Sequence, residues 1–328
     1  MNRHLARTRC FLVILVAAVL PCAAQVKQQP PSPASRENEY AIRTNVDLVV
    51  LRATVRDHAG APVAGLGKDD FQVYEDKTLQ QIEFFSHEDV PVTVGLVIDN
   101  SGSMKAKRSD VINAALAFAH SSNPEDEVFV VNFNEHISMG LPNDAPFTDD
   151  PRQLEIALSK NKADGLTALY DALAIAIEHL KLGKWEKKVL IVISDGGDNA
   201  SKHTLPQIMT LLNQSSAIIY TMGIFDENDD DKNPHVLKQL SGASGGEAFL
   251  PKSLDEVLPI CQQIAHDIRN QYTIAYSPTN KKLDGAYRTI EVKAPKIAGR
   301  GRLSVSTRTG YTAAAETRSP IGILSSRP

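Results

Sequence analysis

Four apolar runs, VTVGLVID, EVFVVNF, KVLIVISD and AIIYTMGIF, ending at Asp99, Phe133, Asp195 and Phe225, constrain this chain more than any other feature. Each is rich in Val and Ile and lacks the polar alternation of a strand with one wet face, so each reads as a strand buried on both faces. Helix-patterned segments separate them. SDVINAALAFAHSS places Val111, Ala115, Phe118 and Ala119 on one side, with Ser109 as its N-cap. LTALYDALAIAIEHLKLG sets Leu169, Leu173, Ile177 and Leu180 in register and stops at Gly183. SLDEVLPICQQIAHDIRN supplies a last helix, kinked or restarted at Pro259. This alternation predicts an α/β fold: a doubly wound, mostly parallel sheet covered by helices on both faces.

The flanks have a different texture. NVDLVVLRATVRD alternates Val46, Leu48, Leu51 and Val55 imperfectly with polar neighbours, HAGAPVAGL makes a turn, and FQVYED and QIEFFS follow as short strands. After Asn270 strands return as QYTIAYSP, YRTIEVKA and GRLSVSTR. Short strands at this spacing predict a small β-sandwich-like module, with residues 41–90 and 269–311 pairing across the α/β unit of residues 91–268. A chain of 328 residues has room for both units. Residues 25–40, rich in Pro, Ser and Gln, read as a disordered linker, and residues 312–328 as a disordered tail.

Residues 1–24 carry Arg3, Arg7 and Arg9, then an apolar stretch, then small residues at Ala23 and Ala24. That is the anatomy of a signal peptide, and it predicts a secreted or periplasmic protein with no transmembrane segment in the mature chain. Pro21 argues against lipidation of Cys22, because a small residue is usual there. Cleavage after Ala24 leaves Cys261 alone, so no intrachain disulfide forms and Cys261 reads as a buried apolar filler. Residues 91–268 hold 14 Lys and Arg against 25 Asp and Glu, whereas residues 269–308 hold nine basic residues against Asp284 and Glu291. The basic charges are interleaved with strand residues in an exported chain, which reads as a solvated sheet face and excludes nucleic acid as partner.

In an open parallel sheet, ligands sit at the carboxyl ends of the strands. Asp99 ends one such strand and is followed at two-residue steps by Ser101 and Ser103; Asp195 ends another, before Gly196 and Gly197; Thr167 follows a turn at Gly165 and precedes a helix. Three loops therefore bring five oxygen ligands to one face. With no His or Cys among them, the set suits Mg²⁺, Mn²⁺ or Ca²⁺ and not Zn²⁺, Mg²⁺ being favoured. Two carboxylates balance a dication, and neutral hydroxyls leave it acidic enough to take an outside carboxylate.

The spacing Asp-x-Ser-x-Ser after a buried strand, with the later Thr167 and the Asp195 of SDG, resembles the von Willebrand factor type A domain and its metal-ion-dependent adhesion site, over about residues 91–268. The resemblance implies that Asp99, Ser101, Ser103 and Thr167 hold the ion directly or through one water. It further implies that Asp195 acts through water, and that an Asp or Glu of a protein partner completes the shell. The flanking GAPVAGLGKDDFQVYEDKTLQQIEFFS and STRTGY are similar to the exported VWFA-related proteins of acidobacteria, which adds architecture more than activity.

Sharper motifs fail on context. GASGG, residues 242–246, matches a nucleophile elbow with Asp255 and His266 behind it, but a helix precedes it and a strand follows, the reverse of what an elbow needs. An aspartyl-phosphate phosphatase would want a second Asp where Ser101 stands. DENDDDKNP lacks the Gly and Glu of an EF-hand loop and reads as a solvated loop. Asn199 and Asn213 match glycosylation acceptors, yet Asn199 belongs with the third metal loop. The sequence thus reads as an exported, non-enzymatic, metal-dependent binding protein. A hydrolase of unknown type, or a scaffold with a structural metal, stands as the alternative.

Overall fold

The computed structural model describes residues 48–225, 232–297 and 301–315. The signal-peptide and linker segments, the acidic run from Asp226 and the end of the tail lie outside them. Strands β1 (Val49–Arg56), β2 (Gln72–Glu75), β3 (Thr78–Gln80) and β4 (Ile82–Ser86) come first. The α/β unit then contributes β5 (Val92–Asp99), β6 (Glu127–Phe133), β7 (Ile137–Met139), β8 (Lys187–Ser194), β9 (Ile218–Gly223) and β10 (Ala248–Phe249). Its helices are α1 (Arg108–Ser121), α2 (Pro151–Ser159), α3 (Leu169–Leu180), α4 (Leu205–Gln214), α5 (Pro234–Ser244) and α6 (Val257–Arg269). The chain returns to strands as β11 (Tyr272–Tyr276), β12 (Tyr287–Lys293), β13 (Lys296–Ile297), β14 (Gly301–Arg302), β15 (Ser304–Ser306) and β16 (Gly310–Thr312).

The central sheet runs β10-β9-β8-β5-β6-β7, parallel throughout except for β7. Alternate residues of a strand point to opposite faces, and every residue of β5 is buried, so helices must cover both sides. They form two groups: α1 packs against α2 and α6, while α4 packs against α3 and α5. The fold is α/β and doubly wound, as the apolar runs predict. After β6 and β7 the chain crosses to the other side of β5 to form β8, so the sheet's switch point lies at the carboxyl ends of β5 and β8. Among the described residues no helix is long and apolar enough to cross a membrane.

The flanking strands form two four-stranded antiparallel sheets, β15-β1-β11-β4 and β16-β12-β2-β3. Strands β4 and β11, which lead into and out of the α/β unit, lie side by side with Ser86 opposite Thr273. Leu51, Val73, Ile82, Tyr272, Ile274 and Ile290 are among the apolar residues of the sandwich core. Not all basic residues here are solvated. Arg288 of β12 points inward, 3.6 Å from Glu75, whose Oε2 also accepts hydrogen bonds from the hydroxyls of Tyr276 (2.8 Å) and Tyr311 (2.9 Å).

Three boundaries differ from the sequence reading. Ser109 is not the N-cap of α1 but lies inside its first turn: a short 3₁₀ turn at Gly102–Met104 leads directly into the helix, and the Lys107 carbonyl accepts from Val111 N (3.1 Å). Pro259 neither kinks nor restarts α6; it sits in the first turn, where its missing N–H costs nothing. Residues 312–315 are not disordered, since Thr312 of β16 pairs with Tyr287 and Ala313 N donates to the Ala286 carbonyl (2.9 Å). Backbone pairing of this kind needs no apolar period to announce it.

GASGG closes α5. Ser244 is its last residue, Gly245 is a left-handed C-cap at φ +88°, and the Ser244 hydroxyl donates to the Ser241 carbonyl (2.9 Å) and accepts from Ile219 N (2.8 Å). A Cβ on Gly246 would lie 2.1 Å from the Ile219 carbonyl oxygen, whereas one on Gly242 meets nothing within 4 Å. Gly246→Ala is therefore expected to lower stability by about 2–3 kcal/mol. Gly242→Ala, on the exposed face of α5, should raise it by about 0.5–1 kcal/mol. Urea midpoints of the two variants check both signs.

Lys187 opens β8 at the far end of the sheet from the switch point, is 3% exposed, and its Nζ donates to the Ile268 carbonyl in the last turn of α6. Burial, and after it the charge of Arg52, pushes this ammonium down to about 7, against the pull of Asp89 and Asp126. Between about 7 and the ordinary value of 10.5 the unfolded chain holds a proton that the folded chain has released, so stability rises with pH across that window. Below it both states are protonated and the contribution is flat. Lys187→Met should abolish that rise, at most about 1.4 kcal/mol per pH unit. Urea unfolding of both proteins at pH 7 and pH 9 measures the difference.

Candidate metal centre

Strand β5 ends in Asp99 beside β8, which ends in Ser194 and is followed by Asp195. Parallel register, with Ile98 opposite Ile193, brings the two acidic ends to one level. The Asp99 carboxylate accepts from Ser101 N (2.8 Å) through Oδ1 and from Ser194 Oγ (2.7 Å) through Oδ2. Ser101 and Ser103 hydroxyls lie 3.1 Å apart, and Ser103 Oγ donates to Asp195 Oδ2 at 2.5 Å. Four of the five residues singled out from the sequence are thus joined by direct hydrogen bonds or through Ser194.

Thr167 joins through its backbone. Its N–H donates to Asn199 Oδ1 (2.9 Å), and its carbonyl accepts from the N–H groups of Asn199 (2.9 Å) and Ala200 (3.0 Å). Two residues earlier the Gly165 carbonyl accepts from Gly102 N (3.1 Å), and Asp164 N donates to the Asn100 carbonyl (2.9 Å). Each of the three loops is therefore bonded to the other two. Gly165 is needed for this turn: its φ is +82°, and a Cβ there would collide with the Glu135 carboxylate. Gly196, at φ +81°, lets the third loop reverse, with Asp195 Oδ1 capping Gly197 N (2.9 Å).

Asp99 and Asp195 are each only 2% exposed, and among the described residues neither forms an ion pair with a Lys, Arg or His. Burial pushes the Asp99 carboxyl up to about 6; hydrogen bonds from Ser101 and Ser194 pull it down, and the Asp195 charge pushes it up again. No group of three or more His, Cys, Asp or Glu among the described residues is placed to hold a metal. The donors here are instead two carboxylates with hydroxyls, which fit a hard dication by charge and by chemistry.

Residues 94–197 match the family model of the von Willebrand factor type A domain. This chain carries such a domain. An uncharacterized protein of Synechocystis sp. is 22% identical over 184 residues, which is 55% of this chain and 42% of that one. The chain thus spans about two fifths of the length of that curated relative. Among solved structures it is similar to a von Willebrand factor type A protein from Catenulispora acidiphila: 14% identity, 84% of this chain and 76% of that one, TM-score 0.49. It is also similar to proximal thread matrix protein 1 of the mussel byssus: 17% identity, 60% of this chain and 51% of that one, TM-score 0.49.

Beyond the five residues, the three loops are held by some that the sequence pattern does not mark. Asn100 donates through Nδ2 to Asn132 Oδ1 (3.0 Å) and accepts from Arg108, tying the first loop to β6 and α1. Asp198 and Ser201 cap the start of α3 through Tyr170 N (3.2 Å) and Asp171 N (3.0 Å). Ser194, fully buried, is the node between Asp99 and Gly196 N (3.0 Å). Only the dipeptide SD hinted at it. Ser194→Ala leaves both partners unsatisfied, and a loss of about 1–3 kcal/mol in chemical denaturation is expected.

Proposed function

We propose that this chain is an exported, non-enzymatic protein-binding module that holds one divalent cation where β5 and β8 end. The observation that carries the reading is the buried pair Asp99 and Asp195, which no basic side chain of the described residues neutralises. Leaving two such charges unbalanced is costly, and one dication balances them. Asp99, Ser101, Ser103 and Thr167 would hold it directly or through one water. Asp195 would act through water, its Oδ2 being engaged by Ser103 Oγ. Bound there, the ion supplies Lewis acidity toward an outside oxygen, and an Asp or Glu carboxylate of a protein partner matches it. Mg²⁺ is the favoured ion, with Mn²⁺ and Ca²⁺ as alternatives.

The remaining residues position this set: Ser194 aims Asp99, Asn199 fixes the Thr167 loop, and Gly165 and Gly196 provide the turns. A serine-hydrolase reading through GASGG has little support, because Ser244 is buried and its hydroxyl serves the end of α5. Export rests on the residues of the N-terminal 24.

Calorimetric titration of Mg²⁺, Mn²⁺ and Ca²⁺ into the metal-stripped chain is expected to give one site. Asp99→Ala should lose it with an unchanged far-ultraviolet circular dichroism spectrum. Ion binding retained in the variant overturns the metal reading, and metal-dependent turnover of generic esters or phosphoesters overturns the non-enzymatic one.

A further inference from the structure

Leu166 stands between Gly165 and Thr167 in the second of the three loops and is 53% exposed. A single exposed leucine is ordinary on a protein surface. This one is set apart by where it sits and by how firmly its backbone is held. Four consecutive N–H groups of the loop are bonded: Asp164 N to the Asn100 carbonyl (2.9 Å), Gly165 N to Asp164 Oδ1 (2.9 Å), Leu166 N to Glu135 Oε2 (2.8 Å) and Thr167 N to Asn199 Oδ1 (2.9 Å). The Gly165 carbonyl accepts from Gly102 N (3.1 Å), and Gly102 lies between Ser101 and Ser103. Leu166 is therefore one residue from contact with the first loop and one residue from Thr167.

The three loops hold few other apolar side chains. Met104 is 1% exposed and the rest are alanines, so among the described residues Leu166 is the large apolar group that these loops present to solvent. Its exposed neighbours Glu135 and Asp164 are acidic, in a unit, residues 91–268, that carries 25 Asp and Glu against 14 Lys and Arg. A partner whose carboxylate reaches an ion at this site lays its flanking residues across the loops that hold the ion. A leucine whose backbone is already fixed loses little further freedom when it is covered, so the apolar area it exposes counts toward binding. An acidic flanking residue meets Glu135 and Asp164 instead, and like charges there oppose it.

We propose that Leu166 selects the partner of the metal centre: a protein segment whose ion-binding Asp or Glu is flanked by an aliphatic residue and not by further acids. The inference rests on the metal-dependent reading of the site and adds to it the kind of acidic segment the site takes. Leu166 packs on the aliphatic neighbour and takes no part in holding the ion.

The test is calorimetric titration of the Mg²⁺-loaded chain with three N-acetylated, C-amidated tripeptides, Leu-Asp-Leu, Gly-Asp-Gly and Glu-Asp-Glu. The first is expected to bind about five-fold or more tighter than either of the others. Leu166→Ser should bring its affinity down to that of Gly-Asp-Gly, and Leu166→Met should keep the preference. Mg²⁺ titration without peptide reads the ion site separately in each protein. No ion bound by the unchanged chain sinks the metal reading and this inference with it. One ion bound, but with equal affinity for the tripeptides, tightest binding of Glu-Asp-Glu, no tripeptide bound, or a preference that survives Leu166→Ser, leaves the metal reading standing and overturns selection by Leu166. Loss of the ion in Leu166→Ser overturns it too, by making Leu166 a support of the ion site.

Discussion

Two carboxylates, Asp99 and Asp195, are buried together at the ends of neighbouring parallel strands, and the local structure around them follows from that burden. A buried charge is tolerated only when hydrogen bonds or a counter-ion answer it. Here the chain supplies the first: Ser101 N and Ser194 Oγ serve Asp99, while Ser103 Oγ and Gly197 N serve Asp195. Supplying them forces tight turns after both strands, hence the 3₁₀ turn at Gly102–Met104 and the left-handed Gly196. The second loop is then pinned by backbone bonds to both others, so the three loops form a closed ring. What the ring lacks among the described residues is positive charge, and this deficit is what makes it a candidate for a dication.

The opposite end of the α/β unit is governed by a different constraint. Insertion between β4 and β11 requires the chain to leave and rejoin the sandwich at adjacent positions, and the pairing of Ser86 with Thr273 meets that requirement. The seam is then closed by polar contacts: Arg56 to Asp267 and Glu247, Gln271 to Tyr220 (3.1 Å), and Arg308 to the Asn213 carbonyl (3.0 Å). These contacts are directional and costly to leave half-made, so they specify one arrangement more than they add stability. A purely apolar seam would leave that arrangement less defined.

Much of this was legible along the chain because it rests on local pattern. Continuous apolar runs report strands covered on both faces, and the 3.6-residue spacing of Leu169, Leu173, Ile177 and Leu180 reports the buried side of α3. Asp99, Ser101 and Ser103 stood out because polar groups so rarely crowd the end of such a strand. Ser194 and Asn100 did not stand out, since their roles depend on which strands lie side by side, and no spacing within one segment records that. Arg288 was read as solvated because strand periodicity does not say which alternate residues face a second sheet. Thr312 and Ala313 gave no signal at all, being held by backbone hydrogen bonds that any side chain permits.

The sequence alone determined the kind of fold and the chemistry at its strand ends, because burial of apolar runs and the oxygen character of Asp99, Ser101, Ser103, Thr167 and Asp195 are properties of the residues themselves. Only the tertiary structure decided how those groups meet. The strand order β6-β5-β8 puts Asp99 beside Asp195 across 96 positions of sequence numbering, and the same packing leaves Asp267 with one oxygen answered and one not. Adjacency in a sheet and the closure of a seam are set by how whole layers pack, and that free energy is shared among residues too far apart in the chain to announce one another.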